Sequence, residues 1–118
     1  MNELELTKAI ASVLDKKKAI DIKAIHITDY SIVADYFLVA SGTSNTHVKS
    51  LADDVEYELK QRGVEPDHIE GRATGWILLD YGSVIVHVFT PESRDYYNLE
   101  RLWSDAQLVD LSDVVSGS

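Results

Sequence analysis

The chain has 118 residues, and its 11 Lys and Arg against 20 Asp and Glu give it a formal net charge of −9. That length is typical of one domain, and a hydrophobic content of 45% excludes an intrinsically disordered chain. The absence of cysteine excludes disulfides, thiolate metal sites and a cysteine nucleophile. The sequence has neither a signal-peptide pattern nor an apolar run of about 18 residues, which predicts a soluble, cytoplasmic protein with no membrane partner.

The N-terminal half alternates between helical and strand patterns. Apolar spacing near i, i+3, i+4 and i+7 predicts an amphipathic helix from Glu3 to about Lys17. Period-2 alternation predicts a strand over Ile20–Thr28, and the continuous apolar run Tyr36–Ala40 predicts a central strand. A second helical stripe runs from Val48 to Leu59 and ends at Gly63.

The C-terminal half contains a strong hairpin signal. Two apolar segments, Trp76–Tyr81 and Val84–Phe89, are separated by two residues, Gly82 and Ser83. A short edge strand is predicted at His68–Glu70, and Pro91 begins a last helix or turn. We therefore expect a single α/β domain over residues 1–104, with a mixed sheet of about five strands and flanking helices, followed by a flexible acidic tail over residues 105–118.

The acidic charge argues against a nucleic acid as the direct ligand. Affinity for a phosphate backbone comes largely from Lys and Arg that displace counterions, and acids outnumber these residues almost two to one here. We expect no direct nucleic-acid specificity and consider a basic partner more compatible with the charge.

The turn Ser41-Gly42-Thr43-Ser44 lies between a predicted strand and a predicted helix, where backbone N–H groups can cradle a phosphate. It resembles the Gly-Ser turn of nucleotidyltransferases, but those enzymes need an Asp-x-Asp pair on the next strand, and Asp80 stands alone. A helix cap formed by a hydroxyl is the simpler interpretation. We therefore predict no catalytic residues and no cofactor.

The four histidines are His26, His47, His68 and His87, one on each of four different elements. None is spaced to bind a metal with another, so we predict no metal site. His87 interrupts an apolar strand, and we interpret it as a half-exposed strand position with a satisfied imidazole.

The segment from Arg72 to Trp103 is rich in aromatic residues and predicts a binding surface. Strand alternation places Trp76, Leu78 and Asp80 on one face and Ile77, Leu79 and Tyr81 on the other. Both faces are apolar and the helices are few, so one face is available for a partner. The pattern alone leaves open which face that is, and it also allows the aromatic residues simply to complete the core.

The same segment resembles the ribosomal silencing factors of the Iojap family. The resemblance lies in Gly75-Trp76-Ile77-Leu78-Leu79-Asp80-Tyr81-Gly82, in Val84-Ile85-Val86-His87-Val88-Phe89, and in the following Glu92-x-Arg94-x-Tyr96-Tyr97 and Leu99-Glu100-x-Leu102-Trp103. It extends to Asp35–Ser44 and to Val48–Val55, and spans about Leu6 to Trp103.

The resemblance implies a nucleotidyltransferase-like fold without the catalytic carboxylates, and a non-enzymatic function. It implies binding to the large ribosomal subunit through large-subunit ribosomal protein fourteen, a block on joining of the small subunit, and repression of translation when nutrients are short. A role in large-subunit assembly is implied by the organellar members. The residues expected to contact the partner are Trp76, Leu78 and Asp80, with Tyr81, Arg72, Arg94, Tyr96 and Tyr97 as secondary candidates.

Two other functions remain open at this point. One is a nucleotide-binding enzyme that uses Ser41, Thr43 and Ser44 with carboxylates brought together in space. The other is a homodimeric adaptor in which the apolar sheet face mediates self-association.

Overall fold

Helices separate runs of two or three strands in the computed structural model, which describes residues 1–27, 34–71, 75–103 and 106–116, without the side chains of residues 102 and 103. The helices are α1 (Glu3–Lys16), α2 (Asn45–Gln61), α3 (Pro91–Tyr97) and a 3₁₀ helix at Leu99–Trp103. The strands are β1 (Ile20–His26), β2 (Tyr36–Ser41), β3 (His68–Glu70), β4 (Trp76–Asp80), β5 (Val84–Phe89) and β6 (Gln107–Leu108). The predicted end of the first strand at Thr28 lies outside the described residues.

Side-chain caps explain where the helices begin. Asn2 accepts a hydrogen bond from the backbone N–H of Glu5 at 2.8 Å, and Ser44 accepts one from the N–H of His47 at 3.1 Å. Each cap satisfies one of the backbone donors that a helix start leaves unpaired. Gly63, with φ of 79°, follows α2 in a left-handed conformation that disfavours other residues.

The strands form one sheet in the order β3-β4-β5-β2-β1-β6. The pair β2 and β5 is parallel and the other neighbours are antiparallel, so the predicted α/β class with a mixed sheet is confirmed. β2 has a strand on each side, as its apolar run predicted. The described residues form six strands rather than about five, because the two-residue strand β6 is too short to give an alternating pattern in the sequence. The likeness to nucleotidyltransferases stays a prediction.

The main core lies between one face of the sheet and the two long helices. Strand residues on this face, among them Ile77, Leu79 and Val86, are fully buried. They form one cluster with side chains of both helices, among them Ile10, Leu14, Val48, Leu51, Val55 and Leu59. Burial of this many aliphatic side chains is the main stabilising contribution to the fold.

The predicted tail differs from the structure. β6 pairs with Ile25 and His26, so it covers part of the outer edge of β1. Leu111 and Val115 are buried in the main core, and Lys8 of α1 lies 2.9 Å from Asp113. The acidic composition indicated a frayed end. The apolar residues between the acids instead pack against the sheet and α1, a surface that exists only after the sheet has formed.

Candidate partner-binding face

The second face of the sheet, away from α1 and α2, is only partly covered. Along β4 the residues Ile77 and Leu79 are buried under the helices, whereas Trp76, Leu78 and Asp80 are half-buried on the other side. The structure thereby decides between the two faces that alternation left open. The short helix α3 covers one end of this second face.

Rings from four elements pack together on that face. The Trp76 ring centroid lies 4.6 Å from that of Tyr97 and 5.1 Å from that of Phe89. His87 continues the cluster, with its centroid 4.7 Å from that of Phe37. These distances are typical of favourable aromatic pairs. We call this set, together with Leu78, the aromatic face.

A hydrogen bond holds the centre of the aromatic face. The indole Nε1–H of Trp76 donates to Nδ1 of His87 at 3.1 Å. Since an indole can only donate, Nδ1 is unprotonated and the neutral ring carries its proton on Nε2. Burial of the ring lowers the pKa of His87 to about 4, because a charged imidazolium is poorly solvated there.

His87 therefore differs from its sequence interpretation. The residue is 3% exposed rather than half-exposed, and its Nε2 has no hydrogen-bond partner among the described residues. His87 lies on the second face of the sheet, where its ring contacts those of Trp76 and Phe37. What the strand pattern did not include was the cover from Trp76 and Phe37.

A groove runs along the exposed edge of the aromatic face. It has a volume of about 310 Å³ and is lined by Glu70, Gly71, Trp76, Leu78 and Tyr97. Its floor is mostly apolar, and Glu70 places a carboxylate at the rim. An apolar centre with a charged rim is the usual anatomy of a protein-binding surface.

Asp80 and His68 extend the rim along the strands. One carboxylate oxygen of Asp80 accepts a hydrogen bond from the N–H of Gly82 at 2.7 Å, which supports the hairpin turn. The other oxygen lies 3.4 Å from His68 Nε2, and that nitrogen is 3.5 Å from Glu70. Asp80 thus supports the turn as well as supplying charge at the surface.

Arg94 attaches α3 to the sheet. Its Nε donates to Glu100 at 2.9 Å and its Nη1 donates to the hydroxyl of Ser41 at 2.9 Å, while its side chain is only 10% exposed. Partial burial by itself raises the pKa of Glu100, but hydrogen bonds and charges from Arg94 and Lys23 outweigh it and hold that pKa below its ordinary value. Arg94 thus lies beneath the surface as a support.

The remaining predicted contact residues are scattered. Tyr96 is exposed beside Tyr97, with the two rings edge to face at 5.1 Å. Tyr81 packs against the main core on the helix side, where burial and the nearby Glu56 raise its pKa above the ordinary value. Arg72 lies outside the described residues. The structure therefore brings Trp76, Leu78, Asp80, Tyr96 and Tyr97 to one side of the sheet, and does not bring Tyr81 there.

Close packing explains a glycine at the start of β4. A Cβ built on Gly75 would lie 2.6 Å from Oγ of Ser93 and 2.9 Å from Oγ1 of Thr90, the N-cap of α3. The carbonyl of Gly75 also accepts from the N–H of Thr90 at 2.8 Å. A side chain at this position would push α3 away from the aromatic face.

The Ser41–Ser44 turn uses its polar groups internally. Ser44 caps α2, and the N–H of Thr43 donates to Nδ1 of His47 at 2.9 Å. His47 Nε2 lies 3.0 Å from the carbonyl of Lys17, so the ring joins the turn to the end of α1. In the part of the chain that the structure describes, no group of three His, Asp or Glu side chains converges to hold a metal ion.

The protein is thus a small α/β domain that leaves an aromatic surface partly exposed on one face of its sheet. A family model described as "Ribosomal silencing factor during starvation" matches residues 1–118. The chain belongs to this family of ribosomal silencing factors, as the Iojap resemblance predicted. Within the described residues, no helix is long and apolar enough to cross a membrane.

Individual relatives agree with the family assignment. The chain is 41% identical over 112 residues to ribosomal silencing factor RsfS of Bacillus subtilis, covering 94% of this chain and 95% of that protein. It is 34% identical over 99 residues to mouse "mitochondrial assembly of ribosomal large subunit protein 1", covering 80% of this chain and 43% of the mouse protein. A crystal structure of a Chromobacterium violaceum protein superposes with a TM-score of 0.86 at 34% identity, covering 99% of this chain and 98% of that one.

Proposed function

We propose that this protein binds large-subunit ribosomal protein fourteen on the large ribosomal subunit and so blocks joining of the small subunit. It represses translation by occlusion in the cytoplasm, without catalysis. The observation that carries the proposal is the half-exposed apolar surface of Trp76, Leu78 and Tyr97 with acids at its rim. Membership in the ribosomal silencing factors supports the silencing role, and the mouse relative named for large-subunit assembly supports the choice of subunit.

Charge favours a basic protein as the docking partner. The chain carries a net charge of −9, and Glu70 and Asp80 lie beside the groove. Ribosomal proteins are generally basic, so the long-range field accelerates the encounter and the aromatic side chains supply affinity after contact. We therefore expect binding to weaken as salt is added, because screening reduces the attraction between exposed charges.

The test compares two exposed tyrosines on opposite sides of the molecule. Tyr97 is 48% exposed at the groove, and Tyr57 is 63% exposed on α2. We expect Tyr97→Ala to reduce co-sedimentation with isolated large subunits about tenfold or more, as for a residue at the centre of an interface. Tyr57→Ala should bind like the unaltered protein. In a sucrose gradient, the unaltered protein and Tyr57→Ala should both inhibit subunit joining, whereas Tyr97→Ala should not.

Two results would contradict the proposal. If saturating unaltered protein leaves subunit joining unchanged, the silencing mechanism is wrong. If both tyrosine variants bind equally well while circular dichroism shows them folded, the binding surface lies elsewhere. Light scattering on the same samples tests the alternative occupant of the face, a second copy of the chain, because a dimer disrupted by Tyr97→Ala would assign the face to self-association.

A further inference from the structure

We propose that His87 is a positioning residue, which holds the indole of Trp76 in the orientation that the partner meets. The inference rests on the proposed function, since it concerns the surface that binds the ribosomal partner. His87 itself is too deeply buried to contact a partner, at 3% exposure. Its effect on binding must therefore act through the side chain that it touches.

The contact between the two rings is directional. The indole N–H of Trp76 donates to Nδ1 of His87 at 3.1 Å, so the polar edge of the indole faces a buried ring. The indole of Trp76 also lines the groove, together with Leu78 and Tyr97. Because the N–H is used inside, the part of the indole that reaches the groove is hydrocarbon. A flipped indole would deprive Nδ1 of its donor and bring a polar group into the apolar groove, which costs free energy on both counts.

The histidine is itself immobilised by aromatic neighbours. Its ring centroid is 4.7 Å from that of Phe37 and 6.1 Å from that of Phe89, and its plane is within 11° of the Phe89 plane. Cross-strand neighbours on β4 and β2 are Leu78 and Val39. A ring enclosed in this way presents Nδ1 in one direction and provides a rigid acceptor for the indole.

Preorganisation is the physical reason for such an arrangement. An aromatic anchor that is already in its bound orientation loses less conformational freedom when the partner docks. Packing against Tyr97 and Phe89 restrains the plane of the indole, and the hydrogen bond to His87 selects which edge of that plane faces inward.

The experiment uses a pair of substitutions with nearly the same shape. His87→Asn places an amide oxygen near the position of Nδ1. His87→Leu introduces a side chain that branches at Cγ as asparagine does but carries no hydrogen-bond acceptor. Each is made in the full-length protein, checked for folding by circular dichroism, and compared by the Trp76 indole N–H signal in ¹H–¹⁵N spectra and by affinity for isolated large subunits. The chain has two tryptophans, so Trp76→Phe assigns the signal.

We expect the indole signal to keep its position in His87→Asn and to move in His87→Leu. Affinity for large subunits should stay within about threefold in the Asn variant and fall about tenfold in the Leu variant, the size of one lost hydrogen bond. In a Trp76→Phe background the two substitutions should give equal affinities, since phenylalanine has no N–H to position.

Each other outcome overturns the inference in a recognisable way. An indole signal that is the same in His87→Leu and the unaltered protein means that His87 does not hold Trp76. A moved signal with unchanged affinity in both His87 variants means that the hydrogen bond does not serve binding. The proposed function then stands if Tyr97→Ala still binds large subunits more weakly than Tyr57→Ala does. If the unaltered protein does not bind large subunits, the proposed function and this inference are both overturned.

Discussion

Trp76 and His87 show how residues 11 positions apart acquire a joint role. Strand alternation places both on the second face of the sheet, and hairpin pairing of β4 with β5 brings them together. The indole supplies a donor and the imidazole an acceptor, so two polar atoms are satisfied inside an aromatic cluster. That arrangement makes the protonation state of one buried residue matter for stability.

The unfolding free energy should therefore fall with acidification in a way that depends on His87. The pKa of His87 is about 4 in the fold against an ordinary 6.5, so between these values the unfolded chain binds a proton that the folded chain does not. Stability from this residue is present above pH 6.5 and is lost as the pH falls towards 4. Urea unfolding should show that, between pH 7 and pH 5, the free energy of unfolding falls by about 2 kcal/mol more in the unaltered protein than in His87→Leu.

The comparison with His87→Leu removes the effect of the carboxylates, which titrate in both proteins. Equal losses in the two proteins would mean that His87 titrates normally and that its ring is accessible to water.

At the scale of elements, α3 depends on long-range contacts for its position. The helix has only seven residues and buries none of them completely, so its own hydrogen bonds cannot keep it in place. Arg94 joins it to Ser41 at the end of β2 and to Glu100 in the 3₁₀ helix. Since Tyr97 lies on α3 and packs on Trp76, this attachment shapes one wall of the groove.

We expect Arg94→Lys to lower the free energy of unfolding by about 2 kcal/mol, because one ammonium cannot reproduce the planar fork that reaches two partners. The matched control is Lys23→Ala, which removes the other cation near Glu100, at 3.3 Å, from a more exposed position. That change should cost less than about 0.5 kcal/mol, as is usual for an exposed ion pair. Similar losses in chemical denaturation of both variants would show that Arg94 is not an anchor for α3.

The elements themselves followed closely from the sequence. The hairpin signal of Gly82 and Ser83 and the helical stripes depend on neighbours in the chain, and these predictions agree with the observed strands and helices to within a few residues. The position of α3 was not predictable, because nothing local to Arg94 indicates that its partner is Ser41.

For the whole molecule, the C-terminal segment is the largest difference between prediction and structure. Residues 106–116 cover part of the edge of β1 and contribute Leu111 and Val115 to the main core. The added strand also protects part of an exposed sheet edge, which otherwise favours aggregation.

Two leucines three residues apart provide the test. Leu111 is 8% exposed and Leu108 is 62% exposed. We expect Leu111→Ala to lower the free energy of unfolding by about 2 kcal/mol, by lost burial and a residual cavity, and Leu108→Ala to change it by less than about 0.5 kcal/mol. Thermal and urea unfolding measure both. If neither substitution has an effect, the segment is frayed in solution, as its composition predicted.

Periodicity, turn residues and charge were sufficient for the α/β class, for most of the elements and for the acidic character of the protein, since these properties depend on composition and on residues near in sequence. Four features depend on the tertiary structure. They are the open face of β4, the burial of His87 against Trp76, the attachment of α3 through Arg94 and the packing of the last residues into the core. Each of these depends on which distant segments come to lie side by side, such as Lys8 against Asp113. No local pattern carries that information, because packing is determined by all the elements together.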